Sequence, residues 1–311
     1  MESGWLTEWG YILIALAGAG LYAVASVLEQ YEAGKQDESK AMKVGLLVSL
    51  AKRPLWLLGL ALDGGGFALQ AWALSLGPVA IVQPVLVTSL LFALPLGVKY
   101  TGQRIGRNEW IGAVVVTVSL AAFVAAADVD KGDTTHVSGG DWILASAIVG
   151  GLAVACIVAG WKASAPVKAA LWGSAGGLLW GIMAVYLQTT TDLWDERSLL
   201  AVLETWYPYA VIAAGAIGML MAQSAFQTGK LAPSMATFSS IDPIVGVVLG
   251  VWLFGQRLHS DVLAREAIAV VALAVMVVGI VILSRSKLVA AGSGALEADD
   301  DMLKSARPAS E

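Results

Sequence analysis

Apolar residues in this chain do not alternate with polar ones. They follow one another for some twenty positions at a time, with the charged residues confined to the breaks. Such runs occur at Trp9–Leu28, Leu55–Leu76, Val79–Val98, Trp110–Ala127, Trp142–Trp161, Val167–Leu187, Tyr207–Phe226, Leu231–Phe254 and Ala267–Ser284. A bilayer core about 30 Å thick needs roughly 20 residues of helix per crossing, so each run is long enough to span. Each is expected to be helical, because an unpaired backbone group in lipid costs several kcal/mol. The pattern therefore predicts an all-α polytopic membrane protein with about nine transmembrane helices. A further stretch, Met42–Ala51, is too short to span and is expected as a tenth, partial helix at the interface.

Ala23-Val24-Ala25 resembles a signal-peptide cleavage site, but residues 1–8 carry Glu2 and Glu8 and no Lys or Arg. A secretory signal opens with positive charge, so the first run is expected to persist as a mature helix.

The basic residues set an orientation. With the N-terminus outside and the C-terminus cytoplasmic, 15 of the 19 Lys and Arg fall on the cytoplasmic side; only Lys131, Arg197, Arg257 and Arg265 lie outside. The acidic stretches Asp128 to Asp141 and Asp192 to Glu204 become outer loops. Trp9, Trp56, Trp110, Trp142, Trp161, Trp206 and Trp252 lie near run ends, as an aromatic belt requires. The expected organisation is a first transmembrane half at 1–127, an outer loop at 128–141, a second half at 142–286, and a solvated, disordered cytoplasmic tail at 287–311. The implied location is the plasma (inner) membrane.

Composition narrows the function. The 311 residues are 58% apolar and 14% charged, with a mean hydropathy of +0.74. Soluble domains run at about 45–50% and about 25%, so no second, soluble domain is expected. A net charge of −5, spread over loops and tail, offers no basic surface for nucleic acid. The single cysteine, Cys156, lies in an apolar run and rules out a disulfide framework or a thiolate metal cluster. His136 and His259 stand alone in outer loops, and neither a Walker A motif nor a catalytic constellation occurs. The chain is not expected to be an enzyme or to carry a cofactor.

An internal repeat is visible. Gly102-Gln103-Arg104-Ile105 is followed by Arg107, Glu109 and a Val-rich run; 153 residues later Gly255-Gln256-Arg257-Leu258 is followed by Arg265, Glu266 and another. An odd number of crossings between the copies turns them to opposite sides, giving two inverted-topology halves, as in many secondary transporters. A helix ending in Gly-x-Arg-Ile/Leu, then a final hairpin helix, twice over, resembles the drug/metabolite transporter superfamily with its EamA-type halves. That family usually has Glu where Gln103 and Gln256 stand. The nine crossings and the stretch Leu74-Ser75-Leu76-Gly77-Pro78 to Val82-Gln83-Pro84 look most like the NIPA-type magnesium transporters and their bacterial relatives, with Gln83-Pro84 where their pattern has Thr-Pro. The resemblance covers about residues 9–285. It implies a transporter whose partners are the lipid bilayer and a small-molecule or ion substrate.

Polar residues within the runs are the candidates for a site. An intramembrane carboxylate costs roughly 2.5–3.5 kcal/mol to insert and marks function by default. Asp63, before Gly64-Gly65-Gly66, and Asp242, before Pro243, qualify. Both adjoin helix breakers that could free backbone carbonyls, so they are expected as substrate ligands, proton acceptors or, for a divalent cation, metal ligands. Gln70 and Gln223, related by the 153-residue offset, with Trp72, Ser239 and Ser240, are expected to line the same pocket. Glu29, at the cytoplasmic end of the first run, is a candidate gate. Gly173, Gly177 and Gly181 form one ridge and Gly246 and Gly250 another, which would serve close packing inside the fold, between the halves, or in a homodimer. Two functions compete. One is alternating-access transport of a small metabolite or amphipathic compound with proton exchange. The other is transport of magnesium or another divalent cation. A membrane-embedded enzyme is a third, disfavoured by the lack of a catalytic constellation, and a purely structural or receptor role is a fourth.

Overall fold

The structure is a computed structural model that describes residues 4–33, 44–93, 96, 107–126, 129–196, 199–228, 231–256 and 263–284. The tail at 287–311 and the first Gly-Gln-Arg unit at 102–104 lie outside these residues.

Among the described residues every extended element is a helix: α1 (Gly4–Ala33), α2 (Val44–Leu50), α3 (Pro54–Leu76), α4 (Val79–Leu86), α5 (Arg107–Ala126), α6 (Gly139–Trp161), α7 (Ala165–Glu196), α8 (Leu199–Leu203), α9 (Tyr207–Gln227), α10 (Leu231–Phe254) and α11 (Leu263–Ser284), with an irregular segment at 129–138. Seven of them, α1, α3, α6, α7, α9, α10 and α11, contain segments long and apolar enough to cross a bilayer. Two further runs form shorter apolar helices, Val79–Ala93 and Trp110–Ala126. The fold is that of an all-helical membrane protein. The partial helix expected at 42–51 is α2, whose seven residues rise only about 10 Å.

Local chemistry sets the ends. α3 opens with Pro54 at its first position, where the missing N–H costs nothing. It stops before Gly77-Pro78. Ser138 caps α6: its Oγ accepts the Asp141 N–H at 3.1 Å and donates to the Asp141 carboxylate at 2.7 Å. α6 thus begins at Gly139, three residues before the start of the apolar run at Trp142.

Packing repeats itself. α1 packs along α3 and touches α4; α7 packs along α9 and α10; α5 pairs with α11, and α4 crosses α10. Exchanging α1, α3, α4 and α5 for α7, α9, α10 and α11 leaves these neighbour relations unchanged. It also maps the contact of α3 with α7 onto that of α9 with α1. The first residues of α3 and α9, Pro54 and Tyr207, are 153 residues apart, the spacing of the two Gly-Gln units. α6 stands outside this scheme and leans on α7.

Glycine ridges permit the closest approaches. A Cβ at Gly173 would sit 2.6 Å from the Ser234 carbonyl oxygen, one at Gly177 would sit 2.8 Å from that of Phe238, and one at Gly181 would sit 2.8 Å from that of Asp242. Glycines four residues apart on α7 therefore meet carbonyls four residues apart on α10. The second ridge faces α4: at Gly246 a Cβ would lie 2.7 Å from Gln83 Cγ, and at Gly250 it would lie 2.8 Å from Val79 Cγ1. Both ridges are used within this chain.

Two expectations need correction. Asp192 is not in a solvated outer loop: it is in the last turns of α7, buried and paired with Lys131. Trp142 and Trp56 are buried rather than belt residues. Trp142 is the hub of an aromatic cluster with Tyr186, Trp206, Tyr207 and Phe254, at centroid distances of 5.4, 5.5, 5.4 and 6.1 Å. Trp9, Trp110, Trp161, Trp206 and Trp252 remain on the outer surface of the bundle.

Candidate functional site

α1, α3, α4, α7, α9 and α10 enclose a cavity with about 110 Å³ of room for solvent. Helical spacing decides which side chains reach it. Asp63 and Gln70 are seven residues apart on α3 and so share a face. Tyr22 and Ser26 come from one face of α1, and Ser239 and Asp242 from one face of α10. α7 contributes Trp180 and Met183.

A further wall is a broken helix. After Pro84 the regular ladder gives way at Val87 and Thr88, where N–H groups bond three residues back: Val87 to Pro84 at 3.2 Å, Thr88 to Val85 at 3.0 Å, Leu90 to Val87 at 3.0 Å. Gln83, Leu86, Val87, Ser89, Leu90 and Ala93, which bracket this break, all line the cavity. The breakers expected beside the two carboxylates behave differently. α3 runs unbroken through Gly64 to Gly66; a Cβ at Gly65 would lie 3.1 Å from Leu21 Cδ1 and one at Gly66 2.9 Å from the Tyr22 ring, so these two serve packing, whereas Gly64 has nothing within 4 Å. α10 likewise runs unbroken through Pro243. Pro243 has no N–H to donate to the Ser239 carbonyl, so one acceptor is released at the cavity wall rather than a whole turn.

Polar groups around the cavity are partly paired. The Tyr22 hydroxyl donates to Gln70 Oε1 at 2.6 Å. Asp242 Oδ1, Gln83 Nε2 and Trp180 Nε1 are buried without a hydrogen-bond partner. A buried polar group left unsatisfied costs roughly 1–3 kcal/mol, and here both acceptors and donors are left over at one place. Among the described residues no Lys, Arg or His lines the cavity. The cavity is therefore acidic, aromatic and apolar at once.

Behind this wall Gln223 Nε2 donates to Glu29 Oε2 at 2.7 Å, tying α9 to α1. Both residues are buried. Glu29 thus lies inside the bundle, next to the cavity helices, rather than at a lipid–water interface. Tyr22, Ser26 and Glu29 follow one another at i, i+4 and i+7, so a polar stripe runs along one face of α1.

The far end of the bundle is closed by the segment joining α5 to α6. Lys131 pairs with Asp192, and its Nζ also donates to the Ser75 carbonyl at the end of α3 at 2.6 Å. The Thr134 hydroxyl donates to Asp192, and the Asp133 N–H bonds the Phe254 carbonyl at 2.9 Å. Asp133 also accepts from His136 and from the backbone N–H groups of Thr135 and His136, which holds its carboxyl below the usual range. Under this strap the amides of Gln188 and Gln256 complete the start of α4. Gln188 Oε1 accepts the Val79 N–H at 3.0 Å and Gln256 Oε1 the Ala80 N–H at 3.2 Å. Gln256 Nε2 donates to the Lys131 carbonyl at 3.0 Å and to Gln188 Oε1 at 3.2 Å.

Of the residues expected at a pocket, Asp63, Gln70, Ser239 and Asp242 line this one. Gln223 lies one shell back on Glu29, and Ser240 is buried but turned off the lining. Trp72 does not belong to the site: two residues beyond Gln70 it faces away, 56% exposed on the outer surface. Sequence reasoning left out Tyr22 and Ser26, although the polar stripe on α1 was a usable signal. Among the described residues no group of three His, Cys, Asp or Glu side chains comes together as a metal cluster.

An uncharacterized protein of Corynebacterium glutamicum is 29% identical to this chain over 291 residues, which span 91% of this chain and 97% of the relative. No family model matches the chain, and no solved structure matches it.

Proposed function

We propose that the chain is a secondary transporter with the two-half, inverted architecture of the drug/metabolite superfamily. It would move a small metabolite or amphipathic compound across the plasma membrane by alternating access, with proton exchange at Asp63 or Asp242. In this reading nine helices cross the membrane, with the N-terminus outside and the C-terminus in the cytoplasm. The observation that carries it is the cavity itself. It lies where helices of both halves meet, is walled by a broken helix, and holds a carboxylate from each half. Secondary transporters place their sites in this way, at discontinuous helices on the repeat interface. The exchange of neighbours between the two sets of four helices supports the same reading, because alternating access needs two similar bodies rocking about one site.

The test is transport by the purified chain in proteoliposomes with an imposed pH gradient. Asp242→Asn is expected to abolish gradient-driven flux while leaving elution on size exclusion and helix content unchanged. Undiminished flux with a normal pH dependence would remove Asp242 from the mechanism.

A divalent cation is the second reading, favoured by one fact: Asp63 and Asp242 face the same cavity. Saturable Mg²⁺ flux that Asp63→Asn and Asp242→Asn both eliminate would establish it in place of the first.

A further inference from the structure

We propose that the ligand of this cavity is an organic ammonium ion, carried on an apolar body about the size of one ring and bearing a hydrogen-bond acceptor away from the charge. The inference rests on the cavity being a transport site and adds to it the chemical class of what is transported.

Charge comes first. Asp63 and Asp242 reach the cavity from different helices, and among the described residues no basic side chain lines it. An anionic ligand would meet two carboxylates and no counterion, in surroundings where charges are poorly screened. An ammonium group meets its complement. It offers three donors and no acceptor, which suits Asp242 Oδ1, a buried acceptor without a partner.

The walls decide between an organic and a bare inorganic cation. Leu86, Val87, Leu90 and Met183 are apolar, while Trp180 and Phe238, packed edge-on at 5.2 Å between centroids, present aromatic surface. Aromatic faces attract a desolvated organic cation. Mg²⁺ instead demands near-octahedral oxygen and keeps several waters, so it gains nothing from the apolar and aromatic part of these walls.

A leftover donor adds the last element. Gln83 is 2% exposed, lines the cavity, and leaves its Nε2 without a partner. An ammonium cannot serve it. A hydroxyl or carbonyl oxygen on the ligand body can.

Isothermal titration of the full chain in detergent tests this with four probes: tyramine, its neutral isostere 2-(4-hydroxyphenyl)ethanol, its anionic isostere 3-(4-hydroxyphenyl)propionate, and MgCl₂. Tyramine is expected to bind saturably, and the two isosteres about tenfold or more weaker, the change expected when one charged hydrogen bond is lost. Asp242→Asn and Asp63→Asn should each weaken tyramine by about tenfold, while Trp72→Ala, on the outer surface, leaves it unchanged. Should a carboxylate variant fail to fold, the isostere series on the unaltered chain decides alone. Equal or tighter binding of the neutral or anionic probe, binding of Mg²⁺ without tyramine, or no binding of tyramine overturns the proposal. Proteoliposome flux separates it from the reading beneath it. Tyramine that binds but is not moved defeats the transporter and leaves the ligand class standing. A neutral or anionic solute that is moved, with tyramine neither bound nor moved, does the reverse.

Discussion

Gln256 is wholly buried and uses both ends of its amide: the oxygen accepts the Ala80 N–H, and the nitrogen donates to the Lys131 carbonyl and to Gln188. A carboxylate could keep the first bond but not the other two, and it would face two oxygens at hydrogen-bond distance. Gln256→Glu is therefore expected to destabilise the protein by about 1–3 kcal/mol, read as a lower midpoint in thermal or denaturant unfolding of the detergent-solubilised chain. An unchanged midpoint would mean that the amide is not needed as a donor. Glutamate is the usual residue at this position in the family the sequence resembles, so the substitution also asks whether this chain has built a different joint there. The residues of the cavity were legible to different degrees. Asp63 and Asp242 stood out because a carboxylate in an apolar run is expensive, and that cost is visible without a structure. Trp72 misled because an aromatic residue in the same run carries no such cost and fits equally well against lipid. Gln83 and Trp180 were visible as residues, but their role was not: an unmet hydrogen bond belongs to the packing around a side chain, not to its identity.

Helix α7 is placed by its glycines, and its position fixes where Asp242 stands. Methyl groups at Gly177 and Gly181 would press on the carbonyls of Phe238 and Asp242 themselves, where backbone cannot yield as a side-chain end can. Gly177→Ala is expected to cost roughly 1–3 kcal/mol through overpacking and to reduce transport along with stability. Gly150→Ala on α6 has nothing within 4 Å of the new methyl and should be neutral or slightly stabilising, by up to about 1 kcal/mol of helix propensity. If the two variants behaved alike in thermal unfolding, the ridge would have no special place in the packing. A similar contrast tests the strap over the far end of the bundle. Asp192 is buried on Lys131 and Thr134, whereas Asp195, one turn on, is exposed. Asp192→Asn should lower the unfolding midpoint by the equivalent of roughly 1–3 kcal/mol, and Asp195→Asn should leave it in place. Hydropathy located these helices because lipid demands length and apolarity, and both can be counted in sequence. It misread Asp192 as loop for the same reason: a charged residue ends an apolar run even when the helix continues and a partner neutralises the charge. The break in α4 was missed because Pro84 and Pro243 look alike in sequence. Only the neighbouring chain decides that the ladder yields at Val87 and Thr88 in one case and holds in the other.

Orientation is the property of the whole molecule on which the transport reading depends. The 153-residue repeat and the interchangeable neighbours of the two helix sets relate the halves to each other, but neither says which end of the bundle faces the cytoplasm. That rests on the excess of Lys and Arg assigned to one side, a signal of insertion rather than of folded contacts, and it came from sequence alone. α6 offers the cleanest check. Its 23 residues rise about 34 Å, enough for one crossing, and exposed residues flank it: His136 before Ser138 and Lys162 after Trp161. With Cys156 replaced by Ser, the chain has no thiol of its own. His136→Cys should then react with a membrane-impermeant maleimide in intact cells, and Lys162→Cys only after the membrane is permeabilised. The opposite pattern would turn the molecule over, placing the strap of Lys131 and Asp192 on the cytoplasmic side and making it an inner closure. Labelling of both from the same side would remove α6 from the set of crossings. It would also undo the inverted relation of the two halves, since that relation needs an odd number of crossings between them.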